Sequence, residues 1–98
     1  MSEGLPWFVK DYEKNDAEFY SVIKAMAETS TNTRALDPKT RYLILMALDV
    51  LKGAPEGVKV LAKQARAAGA SEEEIKETVR LAYYVSGMDV IKTALNAF

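Results

Sequence analysis

The sequence predicts an all-α protein: a helical bundle of about six helices in a single domain of residues 1–98. Apolar residues recur at helical spacing along nearly the whole chain. No alternating apolar run is flanked by Asn-Gly or Asp-Gly, the pairs that mark a tight β-hairpin. Glycine, proline and capping residues stand at the expected helix boundaries. A length of 98 residues fits one domain.

The N-terminal part, residues 1–33, is predicted to hold an aromatic segment followed by the first clear helix. The segment contains three aromatic residues, which are Trp7, Phe8 and Tyr12. Asp16 is a suitable N-cap for the helix, because its carboxylate can accept hydrogen bonds from free backbone N–H groups. The polar run 29–33 is expected to end that helix as a linker, since its side chains compete for backbone hydrogen bonds.

The next helix is predicted to begin at Asp37-Pro38, where Asp37 caps the helix and proline takes a first position that needs no N–H. Residues 42–48 are all apolar or aromatic. This helix is therefore expected to be central, or shared between the core and a subunit interface. Gly53 and Pro55 end it and start the following helix.

The C-terminal third is predicted to hold two further helices. Gly69 closes the helix that begins at Pro55. Ser71 and Glu74 have the spacing of a capping box and begin another helix. Gly87 is expected to end that helix, and a last short helix then runs to Phe98.

Two helix-boundary motifs resemble those of the carboxymuconolactone decarboxylase family, which includes the alkylhydroperoxidase D-like proteins. The first is Leu-Asp-Pro-Lys-Thr-Arg at 36–41, and the second is Ala-Gly-Ala-Ser-Glu-Glu-Glu-Ile at 68–75. The resemblance covers residues 36–98 and identifies them as the family core. It implies the alkylhydroperoxidase D-like helical fold and a homo-oligomer, either a trimer or a hexamer.

The redox motif of the peroxidase branch is absent from the chain. That branch has an acidic residue early in the first of these helices and a Cys-x-x-Cys-x-x-x-His stretch after its glycine. The matching positions here are Tyr42, Ala54, Gly57 and Leu61. A thiol peroxidase needs one thiolate to attack the O–O bond and a second thiol to resolve the product. We therefore expect neither catalytic residues nor peroxiredoxin chemistry at these positions.

Composition excludes several further classes of function. The chain has no cysteine and no histidine, so the usual ligands of zinc and copper are missing, and we predict neither a metal nor a cofactor. A formal net charge of −1 argues against binding to nucleic acid or to an anionic membrane. No signal sequence or long apolar run is found, which favours a cytoplasmic protein with no membrane contact.

Three side chains are candidates for a small-molecule pocket: Asp49, Tyr42 and Tyr83. Asp49 directly follows seven apolar or aromatic residues and is expected to be partly desolvated. It can alternatively pair with Lys52 or with a neighbouring subunit, or point to solvent. The tyrosines can orient a ligand through their hydroxyls, or serve as core or interface aromatics.

These observations leave three functions open. The first is a homo-oligomer that has lost the redox site and is non-catalytic or binds a small-molecule ligand. The second is a non-redox enzyme, decarboxylase-like or isomerase-like, in which Asp49 and Tyr42 move protons on a small organic acid and Arg41 or Lys52 binds its charge. The third is an adaptor that engages another protein through its aromatic N-terminus.

Overall fold

The computed structural model describes residues 5–98, and every regular element in that range is helical. The five α-helices are α1 (Trp7–Asn15), α2 (Ala17–Thr31), α3 (Pro38–Lys52), α4 (Pro55–Ala67) and α5 (Glu72–Ala94), followed by a 3-10 turn at Leu95–Ala97. The predicted all-α fold is confirmed. The chain divides into two compact units, with the boundary between Ala35 and Leu36.

The first unit is a helical hairpin in which α1 packs against α2. Asp16 joins the two helices: its backbone N–H donates to the carbonyl of Tyr12 at 2.8 Å, and its side chain accepts from the N–H of Phe19 at 3.0 Å. The predicted N-cap is thus confirmed. The aromatic segment, for which the sequence predicted no helix, is α1 itself, and the rings of Tyr12 and Phe19 meet edge to face at 5.8 Å.

The end of α2 differs from the prediction. Residues 29–33 were expected to form a linker, but the helix continues to Thr31. The hydroxyl of Thr31 donates to the carbonyl of Ala27 at 2.8 Å, and that of Ser30 lies 3.5 Å from the sulfur of Met26. Both hydroxyls therefore bond to the preceding helical turn, which is compatible with the helix, instead of competing with it.

The second unit contains α3, α4 and α5, with α3 packed against both other helices. Asp37 caps α3 by accepting from the N–H of Thr40 at 2.8 Å, and Pro38 is its first residue. Gly53 ends α3 with a φ of 71°, in the left-handed region that glycine adopts without strain. The predicted boundaries at Asp37, Gly53 and Pro55 are confirmed.

Helix α5 begins as predicted but does not end as predicted. The N–H of Glu74 donates to the Ser71 hydroxyl at 3.0 Å and the N–H of Ser71 donates to the Glu74 carboxylate at 2.9 Å, which completes the capping box. The predicted end at Gly87 is wrong, because α5 runs unbroken for 23 residues. A glycine within a helix costs only about 1 kcal/mol relative to alanine, and the ring of Tyr83 packs over this one from the preceding turn.

The core of the second unit is small. Its buried apolar residues are Met46, Ala65, Ala70 and Ala82, and Met46 is the one large side chain that is fully buried among the described residues. Alanines let helices approach closely, but they contribute little apolar area. Many large apolar side chains of α5 are consequently exposed in the single chain. None of the helices in residues 5–98 is long and apolar enough to cross a membrane.

Two ion pairs tie the start of α5 to the other helices. Lys39 Nζ lies 2.9 Å from Glu74 Oε2 and joins the first turns of α3 and α5. Arg66 binds Glu72 with two hydrogen bonds of 2.6 and 2.9 Å at the α4–α5 junction. The Ser71 backbone N–H and the Lys39 ammonium both favour ionised Glu74, so they hold the pKa of this carboxyl below its ordinary value of 4.5.

We expect stability to fall as the pH drops below about 4.5, with Glu74 as one source of the loss. A carboxyl whose pKa is lower in the folded state stabilises the fold above its unfolded pKa, and this contribution disappears as the pH falls through the folded pKa. Glu74→Gln keeps the capping geometry but cannot ionise. Urea unfolding between pH 7 and 3 should therefore give a shallower acid dependence for Glu74→Gln than for the unmodified protein, and superimposable profiles would contradict this role.

Candidate functional site

The positions that correspond to the family's redox motif lie on α3 and on the first half of α4. Ala54 is the N-cap residue of α4 and supplies no side-chain hydrogen bond, while Gly57 lies in the first turn and Leu61 one turn later. The backbone N–H of Ala54 donates to the carbonyl of Asp49 at 2.9 Å. This bond closes the reversal between the helices and brings the end of α3 beside the start of α4.

Asp49 and Gly57 make the closest side-chain approach in this region. A Cβ atom at position 57 would lie 3.0 Å from Asp49 Cγ and nearer still to Oδ2, which is closer than atoms can approach. The Asp49 carboxylate therefore fills the space that a side chain of residue 57 needs. The carboxylate can keep this place only if residue 57 is glycine. The reason is steric, because the φ of Gly57 is not positive and its backbone conformation does not itself require glycine.

The Asp49 carboxylate lies against the N-terminal turn of α4. It is half-buried and has no hydrogen bond or ion pair with another of residues 5–98, so the pairing with Lys52 that the sequence allowed does not occur. The first backbone N–H groups of a helix have no intrahelical acceptor and carry partial positive charge. This end of α4 is therefore electrostatically favourable for a carboxylate, which helps to hold Asp49 beside Gly57.

The two tyrosine candidates do not join Asp49. Tyr42 lies two turns before Asp49 on α3, about 10 Å along the helix axis. Its half-buried ring has the Arg41 guanidinium 4.8 Å from its centre. Tyr83 is 75% exposed on α5 and lines a shallow depression with Arg80, Tyr84 and other residues of α5 alone.

Asp49 lines neither of two surface depressions that are formed by described residues. One is formed by α5, and the other is lined by residues 21–30 of α2. Nor do residues 5–98 contain a group of three acidic side chains placed to hold a metal ion. The candidate site is thus the contact between Asp49 and Gly57. Ala54 lies beside it at the N-cap of α4, and Leu61 lies one turn after the glycine.

Sequence reasoning treated Gly57 only as a lost cysteine and missed its contact with Asp49. One signal could have indicated the contact. Glycine is an unfavourable residue in a helix, and a glycine two positions after the initiating proline needs a packing reason. The identity of the packing partner, however, depends on how α3 and α4 face each other.

The chain belongs to the carboxymuconolactone decarboxylase family, whose model matches residues 17–98. The match begins at the first residue of α2 and so includes a helix outside the two motifs. The chain is 29% identical over 98 residues to an uncharacterized protein of Methanocaldococcus jannaschii, and the alignment covers 99% of this chain and 92% of that protein. No solved structure matches the chain.

We expect Gly57→Ala and Asp49→Ala to be energetically coupled. In a background without the carboxylate, alanine at position 57 should stabilise the helix by about 0.5–1 kcal/mol, the usual gain over glycine. With Asp49 present, the added methyl group must displace the carboxylate and this gain should be lost.

A double-mutant cycle by urea unfolding measures the coupling, which we expect to be on the order of 1 kcal/mol. The control cycle combines Gly57→Ala with Asp11→Ala, which removes an exposed carboxylate from α1, and these two effects should add. Gly57→Ala and Asp49→Ala effects that simply add would refute the steric dependence of position 57 on Asp49.

Proposed function

We propose that this chain is a self-associating member of the family that has no thiol peroxidase activity and acts through binding rather than catalysis. The observation that carries the proposal is the contact between Asp49 and Gly57. A carboxylate from α3 takes the space that the side chain of residue 57 would need, at a position that corresponds to a redox cysteine in the peroxidase branch. Cysteine is absent from the whole chain.

Leu61 supports the same interpretation. It stands where the resemblance places the histidine of the proton relay, and its side chain is half-buried and apolar. A relay needs a group that can take and return a proton near pH 7, which leucine cannot do. The attacking thiol, the resolving thiol and the relay histidine of the family motif are thus all replaced, and the residues that replace them supply no redox group.

The exposed apolar surface supports self-association. Large apolar side chains remain exposed on α1, α2 and α5, among them Trp7 at 75% and Leu81 at 67%. Contiguous apolar surface on a small protein favours contact with another protein surface. A homo-oligomer, as the family resemblance implies, would cover such surface with copies of the chain itself.

A non-redox enzyme is the second candidate, and it is favoured by the half-buried Asp49 carboxylate that lacks a partner among residues 5–98. Proton transfer needs a second group within hydrogen-bond reach of the same substrate atoms. Tyr42 is about 10 Å away along the axis of α3, so the binding role is the better supported of the two.

We expect no reduction of organic hydroperoxide by the purified protein with dithiothreitol or a lipoyl dithiol as reductant. The reason is chemical, since no thiolate is available to attack the peroxide bond. Peroxide loss should equal that of a buffer control, with a thiol peroxidase assayed in parallel. Turnover that scales with the concentration of this protein would overturn the proposal that peroxidase activity is absent.

We expect the purified protein to have the mass of two or more copies of the 10.9 kDa chain. Its melting temperature should rise with protein concentration, because association stabilises the folded chain by mass action. Light scattering coupled to size exclusion measures the mass directly. A monomer at all concentrations from micromolar to millimolar would refute self-association and leave the peroxidase test unaffected.

A further inference from the structure

Six large apolar residues follow one another along α5 and the turn after it at alternating intervals of three and four. They are Leu81, Tyr84, Met88, Ile91, Leu95 and Phe98. This spacing is the heptad pattern in which two helices pack side by side along a continuous apolar line. We call this set the α5 seam. It exists as a line because α5 continues through Gly87; Leu95 begins the 3-10 turn that follows α5, and Phe98 comes directly after that turn.

The α5 seam is exposed in the single chain. The exposed fractions of its side chains range from 40% for Met88 to 102% for Phe98. The buried face of α5 lies elsewhere: Ala82, only 4% exposed, projects about 100° around the helix from Leu81. The contact of α5 with α3 therefore leaves the seam uncovered.

The spacing of the α5 seam reads the same in both chain directions, so a second copy of the seam can cover it. When two copies of one helix pair in antiparallel directions about a two-fold axis, each residue faces a residue of the other copy. The two residue numbers of every facing pair then add up to the same total. A two-fold axis between Asp89 and Val90 pairs all six seam residues with one another. Leu81 then meets Phe98, Tyr84 meets Leu95, and Met88 meets Ile91, each from the other copy.

The flanking residues are compatible with this antiparallel pairing. No seam residue is charged, and the charged residues between Leu81 and Phe98 are Asp89 and Lys92. Gly87 and Ala94 of opposite copies come side by side at one edge of the seam, where small residues allow the helices to approach. On the other edge Lys92 lies beside Val85 of the second copy, so its aliphatic stem can cover apolar surface while the ammonium stays in water.

The available area is near the lower limit for a specific contact. If the six side chains lose on average about 100 Å² each, two copies would bury roughly 1,200 Å². The adjacent exposed residue Val85 adds to this area, since it stands at 60% exposure beside the seam.

We infer that the α5 seam binds the α5 seam of a second copy of this chain in an antiparallel pair about a two-fold axis. This inference rests on the proposed self-association and names its surface and geometry. A two-fold contact of this kind is made of the same residues on both sides and closes on itself. The assembly then contains an even number of chains, so a hexamer fits and a trimer does not.

Disulfide trapping tests the pairing. Because the chain has no native cysteine, any disulfide that forms must join the introduced cysteines. The test variant is Tyr84→Cys in α5 with Leu95→Cys at the start of the following 3-10 turn, two positions about 16 Å apart along the helix axis and therefore unable to bridge in one chain. In the antiparallel pair they lie opposite each other. Mild oxidation should give at least tenfold more covalent dimer than either single variant, with peptide mapping showing an 84–95 linkage.

The matched control is Ser86→Cys with Thr93→Cys, which has the same sum of residue numbers but lies on the opposite side of the helix from the seam. It should give little covalent dimer. If the reduced Tyr84→Cys/Leu95→Cys variant does not keep the wild-type mass, Leu81→Cys with Phe98→Cys tests the outer pair of the seam, which is also too far apart to bridge within one chain.

The outcomes separate this inference from the proposed function. Strong cross-linking of Tyr84→Cys alone would indicate a parallel pair, and a wild-type trimer would exclude a two-fold contact, so either result overturns the inference. An associated wild-type protein in which neither seam pair cross-links would also overturn it, because another surface then makes the contact, and self-association itself would stand. A monomeric wild type would overturn both.

Discussion

The small size of the core limits the stability of this chain as a single copy. The second unit buries one large side chain, Met46, together with three alanines. Each large apolar side chain that is fully buried stabilises a fold by about 1.5–3 kcal/mol, so a core of this composition contributes little. Helices of this unit that pack through alanine leave their larger side chains pointing outwards. The exposed α5 seam follows from this arrangement of small residues inside and large residues outside.

Helix starts were predictable because they depend on residues next to each other in sequence. Asp16, Asp37 and Ser71 each accept a backbone N–H three residues later, and all three were identified from the sequence. Helix ends were less predictable. Gly53 ends α3 where the chain reverses and its φ is positive, whereas Gly87 has an ordinary helical backbone and α5 continues. Glycine permits a helix to end, but packing over several turns decides whether it does.

The candidate site shows the same division between local and non-local information. The loss of cysteine and histidine was evident from the sequence, and so were the positions Ala54, Gly57 and Leu61 that correspond to the motif. The contact of Asp49 with Gly57 was not, because it depends on which faces of α3 and α4 meet. That contact changes the interpretation of position 57. The cysteine of the motif is absent there, and the space that its side chain would need is filled by a carboxylate from another helix.

The continuity of α5 connects these observations. A break at Gly87 would put Met88 and the residues after it on a separate axis, and the intervals of three and four would no longer form one line. The glycine costs about 1 kcal/mol in an isolated helix, and in the proposed antiparallel pair it would stand at the edge of the contact, where its lack of a side chain would let the second copy approach. The same residue type that makes room for Asp49 within one chain at position 57 would thus make room between two chains at position 87. Neither glycine ends its helix.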